Sequence, residues 1–380
     1  MAEDKPWQPY LEAALGFRNH WYPAFFGAAL KEAECRGQEL LGERILFKRI
    51  DGRVYAMEDR CAHRGVQFSV RPECYSKNTI SCWYHGFTFN VKTGALAAII
   101  TDPESPLVGK VTLKTYPVEE RKGLVFVYVG DGEPTPLALD VQPGFLDDNV
   151  AVAPNGEHGI VNSNWRLAAE NGVDASHIYI HRNSGLVNVK RKALPLASYF
   201  TTKDGMVIEK DGAPKGVLKG AGNKISVWET MIEGVKVEAQ YRPGVNAESS
   251  AVTDTSLWLP CGLKVDPFPE ADTMQFEWYV PQNETSHHYI VTWGKRVKTP
   301  AQAEQFYREV DAVLKELVVG KFNNEDVIAR EAMERFYTEE DGWNRERLYR
   351  PDVVITEWRK LASRHNRGIQ RRSNAKEHST

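Results

Sequence analysis

Apolar and polar positions alternate in short stretches between about residues 40 and 130, and this period of two is typical of β-strands. Residues 45–50 and 53–57 form two such stretches on either side of Asp51-Gly52. Because Asp-Gly favours the positive backbone angles of a type I′ turn, these stretches predict a β-hairpin. We expect this part of the chain to form a small antiparallel β domain.

A second pair of apolar stretches, residues 111–118 and 124–129, lies on either side of residues 119–123 and predicts another hairpin. The chain then becomes rich in glycine and proline, at residues 130–136 and again at Pro143-Gly144. These residue types interrupt regular structure, so we expect an interdomain linker here.

The second half of the chain combines the apolar spacing of helices with that of strands. Residues 161–184 have the apolar spacing of a helix. Residues 256–265 and 274–280 are rich in β-branched and aromatic side chains and predict strands. Together the two halves predict an α+β protein.

Three helices are predicted in the last third of the chain, and they cover residues 299–319, 324–336 and 352–365. Thr299 followed by Pro300 and Gln302 has the pattern of an N-cap, a first-turn proline and a capping box. Gly320 is expected to end the first of these helices, since glycine favours the position after a helix. The basic tail with Arg371-Arg372 is expected to be solvated and frayed.

Composition and charge limit the possible functions. With 380 residues the chain is longer than most single hydrophobic cores, so we predict two domains, residues 1–150 and 151–380. The formal net charge of -3 gives no overall attraction to nucleic acid or to an anionic membrane. No apolar stretch approaches the roughly 18 residues that span a bilayer, and the acidic start lacks the features of a targeting peptide. We therefore expect a soluble, cytoplasmic protein.

Four metal-binding side chains form two closely spaced pairs, Cys61 with His63 and Cys82 with His85. Two thiolates and two imidazoles bind either one zinc ion or a [2Fe-2S] cluster, in which both Cys hold one iron and both His the other. Zinc sites usually pair like residues within a loop. Here each pair mixes one Cys with one His, as a Rieske cluster requires, so we favour the cluster. The other cysteines are expected to be structural thiols, and they are Cys35, Cys74 and Cys261.

A second group of possible ligands begins at Asn171 and continues with Asp174, His177 and His181. His177 and His181 share one face of a helix and can bind one ion, although two His on an ordinary half-buried helix would look the same. A ferrous ion that activates O2 is usually held by two His and one carboxylate, and a one-electron cluster needs such a redox partner. The best source of that carboxylate is Glu325-Asp326, at the start of a predicted helix.

Both motifs resemble those of the Rieske non-haem iron ring-hydroxylating oxygenases. Cys-Ala-His-Arg-Gly from Cys61 and Cys-Trp-Tyr-His-Gly from Cys82 look like their cluster loops. Respiratory Rieske proteins carry an extra Cys in each loop, where this chain has Val66 and Tyr84. The spacer of three residues between the two His, where four are common, narrows the resemblance to the carbazole-type angular dioxygenases. Longer similar stretches support it, and they are residues 15–23, 176–181, 258–260, 274–281 and 329–333.

The resemblance implies an antiparallel Rieske domain and a catalytic domain of the helix-grip type, in which an antiparallel sheet is covered by helices. It assigns Asp326 as the third iron ligand, with Glu325 as the alternative. It also implies that Asn171 and Asp174 are catalytic residues. The implied assembly is a head-to-tail homotrimer in which Asp174 connects His177 to the cluster of the partner subunit, at the ligand equivalent to His85.

The resemblance also implies the reaction. Electrons from NADH reach the cluster through a reductase and a ferredoxin, and Fe(II) activates O2 beside a small aromatic substrate. Both oxygen atoms add at an angular position of a carbazole-like tricyclic ring, and the product from carbazole opens to 2′-aminobiphenyl-2,3-diol. The carbonyl of Gly172 is expected to accept the substrate N–H, and Thr255 stands where Ile is expected. The implied pocket residues are Gly172, Ile178, Thr255, Leu263, Val265, Phe268, Gln275 and Phe322.

Three other functions stay open at this point. A Rieske monooxygenase or demethylase acting on another aromatic or on a steroid would share both motifs. An electron-transfer protein without catalysis would need only the cluster. A zinc-stabilised ligand-binding module would contain no iron and would be colourless.

Overall fold

The computed structural model describes residues 5–190, 208–210, 213–215, 228–233, 235–239, 254–349 and 352–372. Within these residues the chain is α+β, as expected, with small antiparallel sheets in the first third and a larger antiparallel sheet packed against helices after it. No helix in these ranges is both long enough and apolar enough to cross a bilayer.

Ten strands form three sheets in the first third of the chain. The strands are β1 (His20–Phe26), β2 (Cys35–Leu40), β3 (Glu43–Ile50), β4 (Arg53–Glu58), β5 (Thr79–Ser81), β6 (Phe87–Asn90), β7 (Leu96–Ile99), β8 (Thr115–Tyr116), β9 (Val118–Arg121) and β10 (Leu124–Val129). Their hydrogen-bonded orders are β1-β10-β9, β2-β3-β4-β8 and β5-β6-β7. The two Cys-His pairs lie on either side of β5, one before it and one between β5 and β6.

The first predicted hairpin is confirmed, and the second is only partly right. Asp51 and Gly52 have φ angles of 53° and 75°, as a type I′ turn between β3 and β4 requires. The predicted strand over 111–118 is wrong, because it divides at Pro117: β8 pairs with β4, whereas β9 pairs with β10. Proline has no N–H to donate and so interrupts the ladder. The tight turn to β10 is Lys122-Gly123, where both φ angles are positive.

The described residues in the rest of the chain form ten more strands. They are β11 (Val150–Val152), β12 (Glu157–Val161), β13 (Ile208–Lys210), β14 (Ala213–Lys215), β15 (Trp228–Ile232), β16 (Val235–Ala239), β17 (Asp254–Trp258), β18 (Gly262–Asp266), β19 (Thr273–Pro281) and β20 (His287–Arg296). The main sheet has the order β11-β20-β19-β18-β17, with β12 also on β20. The apolar stretch 256–265 is therefore two strands and not one, because the Leu259-Pro260 turn folds it into a hairpin.

The part of the chain that the structure describes also contains seven α-helices. They are α1 (Gln8–Glu12), α2 (Trp165–Val173), α3 (Gly185–Lys190), α4 (Pro300–Glu309), α5 (Asn324–Glu339), α6 (Gly342–Arg345) and α7 (Val353–His365). Short 3-10 helices cover Gly27–Ala29, Leu137–Leu139 and Ala175–Asn183, and a π-helix covers Val310–Asn323. The predicted helix over 161–184 is thus half α-helix and half 3-10 helix.

The start of α4 is confirmed, but Gly320 does not end the helix. The Thr299 hydroxyl accepts from Gln302 N, as the capping pattern predicts. Beyond α4 the chain continues as the π-helix into α5, and Gly320 lies inside it. Glycine costs about 1 kcal/mol in a helix, whereas burying one large apolar side chain stabilises by about 1.5–3 kcal/mol. Leu317, Val318 and Phe322 are all buried on either side of Gly320, so their packing outweighs that cost.

Residues 130–136 and Pro143-Gly144, the predicted linker, are exposed or half-buried, but apolar residues that adjoin them are buried. Leu137, Val141 and Phe145 are buried in the same apolar core as β10 and β19. The rings of Phe145 and Trp278 are 5.2 Å apart and meet edge to face. The core is therefore continuous between the first third of the chain and the main sheet. The predicted division near residue 150 stays a prediction.

A buried carboxylate at Asp140 joins three distant parts of the chain. Asp140 Oδ1 lies 2.8 Å from His20 Nδ1 and accepts from Arg367 Nη2, while Oδ2 accepts from Trp21 N and Arg367 Nη1. Burial lowers the pKa of His20, so Arg367 is the charge partner of Asp140. This contact anchors the C-terminal tail at Arg367. Arg371 and Arg372 are exposed, as expected, although both form ion pairs; residues 373–380 lie outside the described residues.

We predict that Asp140→Asn lowers the free energy of unfolding by about 3 kcal/mol, because the Arg367 guanidinium loses its buried carboxylate. Urea and thermal denaturation of the metal-loaded protein measure the effect. The control is Lys77→Gln, which removes the exposed ion pair with Asp51 and is expected to change stability by less than about 0.5 kcal/mol. Equal stability of the two variants would contradict the proposed importance of Asp140.

Candidate metal centres and active site

The two Cys-His loops have the same backbone design. Gly65 N donates to Cys61 O at 2.9 Å, and Gly86 N donates to Cys82 O at 2.8 Å. Both glycines have positive φ angles, 73° and 71°, which other residues rarely adopt. A pair of matched tight loops brings two Cys and two His to one place from separate segments of the chain.

The four side chains of these loops are arranged with the sulfurs inside and the imidazoles outside. Cys61 and Cys82 are each 2% exposed, whereas His63 is exposed and His85 half-buried. The Nδ1 atoms of the two His are 3.1 Å apart. Burial raises the pKa of the Cys61 thiol to about 11, and the nearby Cys82 adds to the effect, so the thiolates need a bound cation. Two inner thiolates and two outer imidazoles fit a Rieske cluster with its His-bound iron nearest the surface.

None of the five cysteines forms a disulfide. Val66 and Tyr84 occupy the loop positions where respiratory Rieske proteins have their extra cysteines. The ring of Tyr84 instead lies 3.7 Å from the ring of His85, measured between centroids. Trp83 and Tyr84 are exposed beside the two imidazoles, so aromatic side chains surround the outer end of the loops.

The two His of the second site lie on a 3-10 helix and not on the α-helix that their spacing suggested. Asp174 causes the change: its backbone is extended, its N–H closes α2, and its carboxylate accepts from Ser176 N at 2.7 Å. The chain then restarts as the 3-10 helix Ala175–Asn183. The imidazole rings of His177 and His181 are 5.3 Å apart and nearly perpendicular.

Three possible ligand atoms converge on one point between this 3-10 helix and α5. Asp326 Oδ1 is 3.5 Å from His177 Nε2 and 3.2 Å from His181 Nε2. Ligand atoms of all three residues lie within 4.8 Å of one another. Among the residues that the structure describes, this is the only such group of three or more. Two imidazoles and one carboxylate form the donor set of a mononuclear ferrous site.

The other ring nitrogen of each His has its own partner. His177 Nδ1 contacts the backbone carbonyl of Asp174, and His181 Nδ1 lies 2.8 Å from Glu325 Oε2. These acceptors favour the tautomer with the proton on Nδ1 and leave both Nε2 atoms free to bind an ion. Glu325 therefore lies behind His181, while Asp326 lies at the point of convergence.

The electrostatics of the site favour a cation. Burial alone lowers the pKa of His181, but the carboxylates of Asp326 and Glu325 outweigh burial and raise this pKa to about 9. Burial likewise acts to raise the pKa of Asp326, yet the charges of His181, His177 and Arg330 hold it well below its usual range. Positive charge is therefore stabilised where the three ligand atoms meet, as an iron site requires.

A buried polar network, missed in the sequence, supports this site. Arg330 Nε donates to Asn171 Oδ1 at 2.7 Å, so Asn171 joins α2 to α5 and does not point its amide oxygen at the His pair. The Arg330 guanidinium lies over the rings of Tyr279 and Tyr289, at 4.9 and 5.1 Å. Both tyrosine hydroxyls donate to Glu277 Oε2 at 2.8 Å. The sequence sign of this network is Glu277, a charged residue inside a mostly apolar strand.

Apolar side chains expected in the pocket surround the His pair on one side. The ring of Phe322 stacks on that of His181 with 3.8 Å between centroids, and Phe268 lies 5.3 Å from Phe322. Ile178 is half-buried against the same core. Gly172 faces the sheet at Leu263, since a Cβ there would lie 3.1 Å from the Leu263 methyl groups.

The remaining pocket residues form a row across the sheet. Thr255 pairs with Val265, and Val265 pairs with Gln275, on three neighbouring strands. Gln275 has both ends of its amide engaged, because it donates to Glu277 and accepts from Trp293 Nε1. It therefore belongs to the network around Glu277 as well as to the predicted lining.

Comparison with protein families matches residues 128–370 to the homotrimeric ring hydroxylases and residues 20–117 to the Rieske [2Fe-2S] domain. This chain belongs to the homotrimeric ring hydroxylase family. The family predicted from the two motifs is therefore confirmed, and so is the Rieske type of the first centre. A zinc-stabilised binding module is excluded by the same match.

Relatives of known function agree with this family. The terminal oxygenase component of carbazole 1,9a-dioxygenase from Sphingomonas sp is 50% identical over 371 residues, which is 96% of each chain. The same component from Metapseudomonas resinovorans is 47% identical over 96% of this chain and 95% of its own.

Solved structures are similar throughout the chain. The terminal oxygenase of carbazole 1,9a-dioxygenase from Novosphingobium sp. KA1 has a TM-score of 0.90 and 45% identity, covering 97% of this chain and 98% of that one. A reduced complex between oxygenase and ferredoxin in carbazole 1,9a-dioxygenase has a TM-score of 0.88 and 44% identity, covering 98% and 97%.

We predict that Asp326→Asn loses the mononuclear iron, because the amide is a poor ligand, whereas Glu325→Gln retains most of it. Iron and acid-labile sulfide analysis separates the two metal centres, since only the cluster contains sulfide. Both variants are expected to keep the visible spectrum of the cluster. Loss of mononuclear iron from Glu325→Gln alone would reverse the assignment of the two carboxylates.

Proposed function

We propose that this chain is the terminal oxygenase of an angular dioxygenase that adds both atoms of O2 to carbazole and similar tricyclic aromatics. The product from carbazole is 2′-aminobiphenyl-2,3-diol. One observation carries the proposal. The chain is 50% identical to a carbazole 1,9a-dioxygenase terminal oxygenase, and it has both the matched Cys-His loops and the group formed by His177, His181 and Asp326.

Each redox group has its ligands in this proposal. The [2Fe-2S] cluster is held by Cys61, His63, Cys82 and His85, and the mononuclear Fe(II) by His177, His181 and Asp326. When bound, the cluster supplies single electrons and the ferrous ion supplies the activation of O2. The protein orients these groups: Glu325 and the Asp174 carbonyl fix the two imidazoles, and the Arg330 contact with Asn171 fixes the spacing between α2 and α5.

Electrons come from NADH through a reductase and a ferredoxin. Related oxygenases have been solved as complexes with ferredoxin, and the exposed Trp83 and Tyr84 beside His63 and His85 give a partner apolar surface at the outer end of the cluster loops. We place this electron supply, and so the protein, in the cytoplasm. The domain boundary near residue 150 then separates electron entry from oxygenation.

Gly172 is the proposed acceptor for the N–H group of carbazole. In an uninterrupted α-helix Ser176 N would donate to the Gly172 carbonyl, but here it donates to the Asp174 carboxylate. Among the described residues no other N–H donates to the Gly172 carbonyl outside α2. Asp174, the residue that breaks the helix, thus frees a carbonyl five residues before His177, at the wall where Leu263 packs.

Flat tricyclic rings suit the side chains around the site. Phe322, Phe268, Leu263, Val265 and Ile178 give an apolar lining, and Thr255 and Gln275 lie in the same row of the sheet. Burying such a ring system removes apolar surface from water, while the Gly172 carbonyl fixes its orientation. Thr255 has less bulk than the expected Ile and leaves more room at the β17 end of the row.

Aerobic turnover tests the function. Purified trimer with ferredoxin, reductase and NADH is expected to convert carbazole to 2′-aminobiphenyl-2,3-diol with two 18O atoms from 18O2. Dibenzofuran lacks the N–H donor, so its kcat/KM is expected to be about five-fold lower, the effect of one hydrogen bond of roughly 1 kcal/mol.

Other outcomes of that assay identify the rival functions. Incorporation of a single oxygen atom would identify the chain as a monooxygenase or demethylase. Unchanged oxidation by a His177→Ala variant would place the oxygenation elsewhere and leave this chain an electron carrier.

The proposed trimer assigns Asp174 to the path from the partner's cluster to His177. Among the described residues its carboxylate accepts only from Ser176 N. Its link to His177 runs through the backbone carbonyl, which differs from the carboxylate contact expected from the sequence. The second carboxylate oxygen is left for the partner subunit. We propose that this oxygen accepts from the cluster imidazole of the partner.

Asp174→Asn is expected to keep both metals yet lower kcat by about 100-fold, because the amide keeps the Ser176 contact and loses the charge. Single-turnover oxidation of the prereduced cluster measures the step directly. The matched control is Asp352→Asn, a nearby carboxylate that accepts from Tyr349 N and is expected to leave the rate unchanged. Normal single-turnover kinetics in Asp174→Asn would remove the bridging role.

A further inference from the structure

Two cysteines outside the metal sites lie together in the Rieske domain. Cys35 begins β2, and Cys74 lies in the loop between the first cluster pair and β5. Their Sγ atoms are 3.8 Å apart. Cys74 is exposed and Cys35 is half-buried. The sequence suggested only structural thiols here, but the structure places two free thiols in contact at the surface.

A buried lysine lies against this pair. Lys48 on β3 is 0% exposed, and its Nζ donates to Cys74 Sγ at 3.1 Å and to Thr79 O at 2.8 Å. Among the described residues no carboxylate forms an ion pair with Lys48. A fully buried ammonium needs a negative partner, and the Cys74 sulfur is the group in contact that can become one.

The surroundings distinguish the two sulfurs. The Cys35 thiol and Lys48 both donate toward Cys74, and together they lower its pKa to about 6. The pKa of Cys35 is raised, first by the contact with Cys74 and then by burial, with a smaller contribution from the carboxylate of Asp59. These opposite shifts make Cys74 the more acidic of the two thiols.

This group is not a third metal site. Zinc in a structural site takes four ligands, and here two sulfurs have an ammonium as their neighbour. Among the described residues, only His177, His181 and Asp326 form a group of three or more possible ligands whose atoms all lie within 4.8 Å of one another, and neither cysteine belongs to it. An ammonium beside a sulfur repels a cation and favours nucleophilic reaction of the sulfur instead.

We propose that Cys74 and Cys35 are a peroxide-sensitive redox pair, in which the Cys74 thiolate reacts first and Cys35 resolves the product. The Cys74 sulfur attacks one oxygen of hydrogen peroxide, the O–O bond breaks, and the released hydroxide takes a proton to become water. Cys35 sulfur then attacks the Cys74 sulfenic acid, an S–S bond forms, and a second water leaves. The two sulfurs lose two electrons in total, and peroxide accepts them.

The position of the pair connects it to the cluster. A disulfide requires the sulfurs to move about 1.8 Å closer, since an S–S bond is about 2.05 Å long. The new bond would tie the Cys74 loop to β2. Ser81 N donates a hydrogen bond to Glu73 O at 2.8 Å. Glu73 precedes Cys74, and Ser81 precedes the cluster ligand Cys82. Oxidation would thus fix the segment that joins the two cluster loops.

The experiment treats the iron-loaded trimer with a few equivalents of hydrogen peroxide and maps its peptides by mass spectrometry. A Cys35–Cys74 disulfide that dithiothreitol reverses is expected, with iron and sulfide content unchanged. Cys35→Ser is expected to stop at the sulfenic acid, which dimedone traps on Cys74. Absence of the cross-linked peptide, or its formation only after iron is lost, would overturn the proposal.

Substitution of Lys48 provides a second, independent test of the proposal. The rate of Cys74 alkylation by iodoacetamide is expected to be half-maximal below pH 7 in the native protein. In Lys48→Met that midpoint is expected to rise by at least about one pH unit, toward the value of roughly 8.5 of an ordinary thiol. Cys261→Ala, which removes a fully buried thiol, serves as the control and is expected to keep the native profile. A native midpoint near that of an ordinary thiol would refute the assigned roles.

Discussion

A buried guanidinium sets the distance between the two segments that carry the mononuclear site. Arg330 lies one helical turn after Asp326 on α5, and Asn171 lies shortly before the His pair on α2. Their contact of 2.7 Å is made where the arginine is 2% exposed. Because a buried charge without partners is very unfavourable, α2 and α5 cannot separate without a large cost in free energy. The three ligand atoms are therefore held near one another by a contact that involves none of them.

Two strands that are buried on both faces, β10 and β19, form the framework that the two redox centres share. Every residue of β10 and of β19 is buried, since each strand is covered by side chains on both sides. Phe126 on β10 and Trp278 on β19 are in edge-to-face contact at 6.3 Å. A smaller separate core surrounds Cys61 and Cys82. The cluster loops thus rest on their own apolar support, while the rest of the Rieske domain and the main sheet are packed as one body.

The sequence was sufficient to predict those structural features that depend only on neighbouring residues along the chain. The Asp51-Gly52 turn, the Thr299 cap and both Cys-His pairs are local features, and all appear in the structure as expected. Asp326 could be named only through resemblance, since nothing local distinguishes it from Glu325. The distinction is spatial: one carboxylate faces both Nε2 atoms, and the other faces Nδ1 of His181.

Errors arose where tertiary contacts outweighed local preference. Gly320 remains helical because its neighbours are buried, and the 3-10 turn of the His pair follows from a side-chain contact of Asp174. Asp140, close to the predicted linker, is held by Arg367, over two hundred positions later in the chain. No pattern within a short window contains such information. The same holds for Lys48 and Cys74, which β3 and a loop bring together.

The path of residues 368–370 has a consequence for biosynthesis. Gln370 N donates to Gly16 O, and Arg18 N donates to Gly368 O, so these residues complete hydrogen bonds next to β1. They leave the ribosome after every strand of the Rieske domain has been made. The domain therefore completes these hydrogen bonds only after residue 370 has been synthesised, and a shorter nascent polypeptide still exposes the polar groups of Gly16 and Arg18.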